Sequence, residues 1–211
     1  SCGAEHSMTA VALDNLSNLF FLSGRLDEAM DLSIQSLEIR ERCFGPNHPS
    51  VAKSLNNQAC ILTSLSKYHN AASLLRRALN INEQFYGLYH PEVANNLSNL
   101  AYALDVEKQV NEAEPLMRRA LEVRRECLGS NHADIAFSLN NLARLLQDTN
   151  RCMEAETLSK EAVCIFLKSL GINHPYCQKA MNNYRKILKD LGLADADINT
   201  EVETLKQLNS Y

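Results

Sequence analysis

His6, His48, His90, His132 and His174 follow one another at a constant interval of 42 residues. Imidazole is the commonest protein metal ligand and a ready proton carrier, so such a series invites a metal-centre reading. Geometry argues otherwise: copies 42 residues apart fall on successive structural units, at least one helix-packing distance of about 8–10 Å apart, and cannot share one ion. A turn-capping role fits the spacing better. No phosphate-binding Gly-x-x-x-x-Gly-Lys-Ser/Thr, nucleophile-elbow Gly-x-Ser-x-Gly or zinc-binding His-Glu-x-x-His occurs. Cys152, Cys164 and Cys177 lie near His174 but in different phases, and a buried helical thiol is inert. The sequence therefore predicts no catalytic residues, no metal, no cofactor and no enzymatic activity.

A second series carries amides. Asn15, Asn57, Asn99, Asn141 and Asn183 keep the same 42-residue interval, and Asn56, Asn140 and Asn182 stand beside three of them. Asn in a helix costs roughly half a kcal/mol relative to Ala, so a row in register needs a reason. Either the amide bridges neighbouring helices and sets their register, or it pairs with the backbone of an extended peptide, having both donors and acceptors.

The elements that position these rows are legible in the rare residues. The chain has 211 residues with only 7 Gly and 5 Pro, which argues against a turn-rich sandwich or barrel. Gly3, Gly45, Gly87, Gly129 and Gly171 share the 42-residue interval, and Gly24 and Gly192 share a second phase. Val51 to Leu65 places Ala52, Leu55, Ala59 and Leu62 at helical spacing, and Lys67 to Phe85 does so with Ala71, Leu74, Leu75, Ala78 and Ile81. Each unit is therefore a helix pair. His-Pro at 48, 90 and 174 suits a helix start, and the glycines suit positive-φ helix ends.

Ala10, Ala52, Ala94 and Ala136 in first helices, and Ala29, Ala71, Ala113 and Ala155 in second helices, allow close approach. Leu13, Leu55, Leu97 and Leu139 fill the seam beside them. One pair cannot bury its apolar face, whereas stacked pairs share a continuous core. The expected fold is all-α, a right-handed α-solenoid of stacked antiparallel helix pairs. The expected array covers 4–193, with units 6–47, 48–89, 90–131 and 132–173 and a partial unit 174–193. Residues 194–211 lose the second-helix signature and form a divergent capping helix, or else one exchanged with a neighbouring molecule. Thr200-x-x-Glu203 reads as its capping box, with Val202, Leu205 and Leu208 as its apolar stripe.

The runs Leu55-Asn56-Asn57-Gln58-Ala59, Leu97-Ser98-Asn99-Leu100-Ala101 and Leu139-Asn140-Asn141-Leu142-Ala143 resemble tetratricopeptide repeats. So does Glu112-Ala113-Glu114-Pro115-Leu116 with Arg119-Ala120-Leu121. The 42-residue unit closing on Gly-x-x-His-Pro is similar to the repeats of kinesin light chains and nephrocystin-3. Departures are Ser7 and Ala133 in place of Pro, and Gln58 and Arg185 in place of apolar or small residues.

The resemblance implies that first helices line an inner, concave surface. With Ala52 as position one, positions 4, 8 and 11 face the core, and positions 2, 5, 6, 9, 12 and 13 face the opposite side at about 100° per residue. The candidate groove comprises Asn15, Lys53, Asn56, Asn57, Asn95, Asn99, Tyr102, Phe137, Asn140, Asn141, Arg144, Lys179, Asn182, Asn183 and Lys186. Val11, Phe21, Cys60 and Asp105 fall on the same face, as do Lys189, Asp148 and Asp190. By resemblance the ligand is an extended peptide of a partner protein. The basic C-terminal end suits aromatic or apolar anchors and some acidic character. Arg76-Arg77 and Arg118-Arg119 read as surface charges paired with nearby Glu.

Composition limits the partners further. A net charge of -4 offers no bulk attraction to nucleic acid or anionic membranes, and no apolar run approaches the roughly 20 residues that span a bilayer. Seven Cys at irregular gaps read as reduced, mostly buried thiols of a cytoplasmic protein. The expected molecule is an adaptor or scaffold, monomeric or weakly dimeric. The alternative is a structural, oligomerisation or autoinhibitory segment of a larger protein, since Gly3 and His6 already stand in repeat phase.

Overall fold

The computed structural model describes residues 4–208. Among them ten helices and no strands occur: α1 (Ala4–Leu22), α2 (Leu26–Phe44), α3 (Pro49–Ser64), α4 (Tyr68–Tyr86), α5 (Pro91–Val106), α6 (Val110–Leu128), α7 (Ala133–Asp148), α8 (Cys152–Leu170), α9 (Pro175–Asp190) and α10 (Asp195–Leu208). First helices from α3 to α9 all have 16 residues, and second helices from α2 to α8 all have 19. The chain divides into two compact units, 1–116 and 117–211. The division falls inside α6 one residue beyond Pro115, which has no amide hydrogen for the helical ladder.

Within each unit the helices pack as consecutive pairs. Every small residue assigned to close helix approach, Ala10, Ala29, Ala52, Ala71, Ala94, Ala113, Ala136 and Ala155, is fully buried. Leu55, Leu97 and Leu139 are fully buried beside them, while Leu13 on α1 is half-buried. In unit 1 Val51, Ala52, Leu55, Ala78 and Ile81 form one core cluster, with Leu37 and Leu74 packed against it.

Two kinds of turn connect the helices, each set by the 42-residue phase. Within a pair the chain turns at Gly24, Ser66, Lys108, Asn150 and Gly192, all with φ between 59° and 89°. At the first of these, the amide of Arg25 donates to the Phe20 carbonyl and that of Gly24 to the Phe21 carbonyl, the paired bonds of a Schellman end. The other four repeat the pattern. Gly24 and Gly192 thus share a left-handed conformation that Ser66, Lys108 and Asn150 adopt against their Cβ atoms.

Between pairs, Gly45, Gly87 and Gly171 end the second helices at φ 82–83° and ψ 163–179°. That corner of conformational space is open essentially only to glycine. His48, His90, His132 and His174 then cap the following helices, each Nδ1 accepting the amide hydrogen two residues on, at 3.1–3.3 Å. The turn-capping reading of these histidines is what the structure shows.

Two local expectations are corrected. Thr200 does not start α10, which begins five residues earlier; its hydroxyl donates to the Ala196 carbonyl inside the helix. Helix α10 buries Ile198, Val202 and Leu205, while the Leu208 side chain and residues 209–211, like residues 1–3, lie outside the described residues. The cysteines are also not mostly buried thiols. Among the described residues Cys127 is exposed, Cys60, Cys152 and Cys164 are half-buried, Cys177 is buried, and Cys43 is disulfide-bonded.

Helix α10 is held to its neighbours by polar contacts as well. Tyr184 of α9 is fully buried, and its hydroxyl donates to Glu156 at 3.0 Å or to Glu201 of α10 at 3.3 Å. Burial and the two facing carboxylates push the phenol well above its ordinary range, keeping it a donor. Lys160 of α8 pairs with Glu201 at 2.6 Å.

Candidate functional site

In unit 1 the outward positions of α1, α3 and α5 carry Asn15, Lys53, Asn95 and Tyr102 exposed, and Asn56, Asn57 and Asn99 half-buried. Asn99 Nδ2 donates to Asn56 Oδ1 at 2.8 Å, and Asn96 Nδ2 reaches the same oxygen at 3.3 Å. Asn82 of α4 donates to Asn96 Oδ1 at 2.6 Å. A chain of amides therefore runs from the second helix to the exposed face. In unit 2 Asn183 donates to Asn140 at 3.0 Å. Asn141, Lys179, Asn182 and Lys186 are exposed there.

The amide row thus has a visible packing role in both units, since Asn99 and Asn183 each tie their helix to the preceding first helix. Asn15, Asn141 and Asn182 are its exposed members. The remaining candidates are partly engaged: Arg144 donates to Asp148 at 3.1 Å, and Phe137 lies edge-on to Phe166 and Tyr176 at centroid distances of 4.9 and 4.7 Å. Asp105, assigned by helical phase to the open face, is instead buried.

A row of buried polar contacts escaped the sequence reading. Arg40 of α2 is buried, yet it reaches Asp14 of α1 at 2.5 Å, the Ser50 carbonyl at 2.8 Å and Ser54 Oγ at 3.1 Å on α3. Asn82 meets Asn96 in the same phase, and Arg124 donates to Ser138 at 2.5 Å. Burial pushes the Arg124 guanidinium down, with Asp134 opposing that shift. The available signal was the 42-residue spacing of polar Arg40, Asn82 and Arg124, matched by Ser54, Asn96 and Ser138. In the next repeat the place is taken by Phe166 and Ala180.

The second helices carry ion pairs between repeats: Arg76–Glu112 at 2.7 Å, Arg77–Glu41 at 2.6 Å, Arg118–Glu154 at 2.5 Å and Arg125–Glu161 at 2.7 Å. Arg76, Arg77 and Arg118 pair with Glu as their sequence context implied. The Glu41–Arg77 pair recurs two repeats later as Arg125–Glu161, with the signs exchanged. A mis-stacked repeat would bring like charges together. The described residues hold no group of three or more His, Cys, Asp or Glu placed to bind a metal ion. None of their helices is long and apolar enough to cross a membrane.

Helix pairs of constant length, joined by recurring turns and sharing stacked alanine seams, define a helical-repeat module. Residues 8–84 and 92–168 match the family model described as tetratricopeptide repeat. These segments cover most of the chain, which belongs to the tetratricopeptide repeat family, and the family makes it a protein-interaction scaffold.

Solved structures share the fold. The nearly identical TPR-like repeats assigned to a kinesin light chain of Podosopora anserina superpose with a TM-score of 0.80 at 22% identity, covering 99% of this chain and 98% of that one. A point variant of that protein gives a TM-score of 0.81, also at 22% identity and with the same coverage of both chains. BtubC (BKLC) from P. vanneervenii gives 0.83 at 19% identity, covering 97% of this chain and 81% of its own. The array thus has the fold of kinesin light chain-like repeats. No curated protein sequence matches the chain at a significant level.

Proposed function

We propose that the chain is a non-catalytic cytoplasmic adaptor whose first-helix faces bind a short, extended peptide of a partner protein. The observation that carries this reading is in unit 2. Asn141 and Asn182 stand exposed next to the tied Asn140–Asn183 pair, with Lys179 and Lys186 also exposed on that helix face. Exposed amides beside exposed cations suit the backbone of an extended segment with acidic side chains. In unit 1, Tyr102 and Lys53 offer an aromatic and a cationic contact in the same positions. Among the described residues Cys60, Cys127, Cys152, Cys164 and Cys177 are free thiols, which supports a reducing compartment, while the disulfide-bonded Cys43 speaks against it.

The test is a peptide-library titration against the wild type and Asn141→Ala/Asn182→Ala, with helicity followed by circular dichroism. Loss of roughly tenfold or more in affinity without loss of helix is expected. Undiminished binding by the folded double variant would remove the peptide from this face.

A second reading, an assembly segment, is favoured by the exposure of Met8, Val11, Leu16, Leu19 and Leu22 on α1. Sedimentation over a wide concentration range separates the two, and a monomer throughout speaks against self-assembly.

A further inference from the structure

A second surface lies off the amide row, at the edge of unit 1 where a second helix hands over to the next first helix. Phe44 stacks on His48 with centroids 4.8 Å apart, and Tyr86 stacks on His90 at 4.0 Å. These pairs are one repeat apart, and Phe85 bridges them, 6.0 Å from His48 and 4.9 Å from Tyr86. Phe44, Phe85, Leu88 and Tyr89 remain 45%, 60%, 55% and 58% exposed.

The repeat fold does not require this. His132 caps α7 through the same bond, beside Cys127, Leu128, Ser130 and Asn131 in the corresponding places. Among the described residues the stacking of a ring from the end of a second helix on the capping His occurs in unit 1, and the exposed aromatic edge it leaves is a surface with a use of its own.

Between the two stacked pairs lies a cleft of about 240 Å³ whose walls include His48, Lys53, Asn82, Tyr86 and Glu92. Because His48 and His90 accept backbone amide hydrogens at Nδ1, each neutral ring carries its proton on Nε2 as a donor. Asn82 is buried; its Nδ2 is engaged with Asn96, whereas its Oδ1 has no hydrogen-bond partner among the described residues. Lys53 and Glu92 set opposite charges on the walls, so net charge does not select the occupant.

We propose that this cleft binds a proline-containing segment of a partner protein in the polyproline II conformation. Proline rings pack on aromatic and imidazole faces. A polyproline II backbone makes no internal hydrogen bonds, so its carbonyls are available to an Nε2 donor such as that of His48. The conformation is largely formed before binding, which lowers the ordering cost on an open surface. The cleft shares Lys53 with the amide-row face, whereas its stacked rings lie outside that face.

The test uses a fluorescein-labelled (Ala-Pro-Pro)4 peptide and a matched (Ala-Ser-Ser)4 peptide in fluorescence polarisation. The proline peptide is expected to bind, and Phe85→Ala and Phe44→Ala, both at exposed positions, each to weaken it by roughly tenfold. Asn141→Ala/Lys179→Ala in unit 2 is expected to leave it unchanged. Ring resonances of His48 and His90 should shift on titration. The proposal is overturned by no binding at millimolar peptide, by equal binding of the serine peptide, or by a folded Phe85→Ala that binds as the wild type does. Self-association abolished by Phe85→Ala would put a second copy of the chain on this edge and overturn it equally.

Discussion

Asn99 donates a 2.8 Å hydrogen bond to Asn56, 43 residues earlier, so one amide of the row is spent on holding two first helices in register. Asn183 and Asn140 repeat this relationship at 3.0 Å in the other unit. Asn15, Asn141 and Asn182 remain exposed.

This division predicts unequal stabilities. Asn99→Ala should lower the unfolding free energy by about 1 kcal/mol, the usual net value of a hydrogen bond whose partner is left behind. Asn141→Ala should change it by less than about 0.5 kcal/mol, since that residue is exposed. Urea titrations of the two variants decide this; equal losses would mean that the row acts uniformly.

The buried Asp14–Arg40 pair, each side chain no more than 7% exposed, should matter more than any surface pair. Asp14→Ala strands a guanidinium between three helices and should cost about 3–5 kcal/mol. Arg76→Ala, which breaks an exposed pair with Glu112, should cost less than about 1 kcal/mol. Chemical unfolding of both, compared with the double variant Asp14→Leu/Arg40→Met, separates the penalty of the orphaned charge from the worth of the pair.

Within-pair turns hold strain that glycine would release. Ser66 and Lys108 sit at φ 59° and 62°, in the places that Gly24 and Gly192 occupy elsewhere. Ser66→Gly and Lys108→Gly should each stabilise the protein by about 0.5–1 kcal/mol, the relief at a left-handed residue exceeding the added freedom of the unfolded chain. Thermal melts check the sign, and a drop in either melting temperature contradicts it.

Acid should loosen α10 first. The hydrogen bond from Lys160 holds the Glu201 carboxyl below the ordinary carboxylate range, with a further contribution from Tyr184. A depressed carboxyl adds stability that is complete above its unfolded-state pKa and is lost as pH falls through the lower folded-state value. Both partners are over a third exposed or close to it, so the effect should not exceed about 1 kcal/mol. Hydrogen exchange of α10 amides between about pH 6 and about pH 3, values chosen to bracket ordinary carboxylate titration, should show protection falling in the wild type. Glu201→Gln should show a flatter profile.

Periodicity in the sequence was enough to determine the unit, because each short-range feature repeats in phase. The 42-residue spacing of His and Gly marks turn ends, and backbone geometry at a turn depends on the few residues within it. Alanines at fixed positions mark helix seams for a similar reason, since only a missing side chain permits close approach, and all eight are buried. Thr200 shows the limit of such local reading. Its spacing to Glu203 satisfied a capping pattern, but packing of Ile198 against the preceding helices drew the helix start back to Asp195.

Tertiary structure decided what the polar residues do. An Asn on a helix face can equally bond a neighbour or a ligand, and only the approach of a second helix settles which, as it does for Asn99 and not for Asn141. Arg40 is a surface residue by type, and Asp105 lies by helical phase on the open face; both are buried. Burial of a charge depends on partners far apart in the chain, such as Asp14 and Ser54 around Arg40. The aromatic edge arises in the same way. Phe44, His48, Phe85, Tyr86 and His90 belong to three successive repeats, and stacking brings them to one rim through contacts that no single segment encodes.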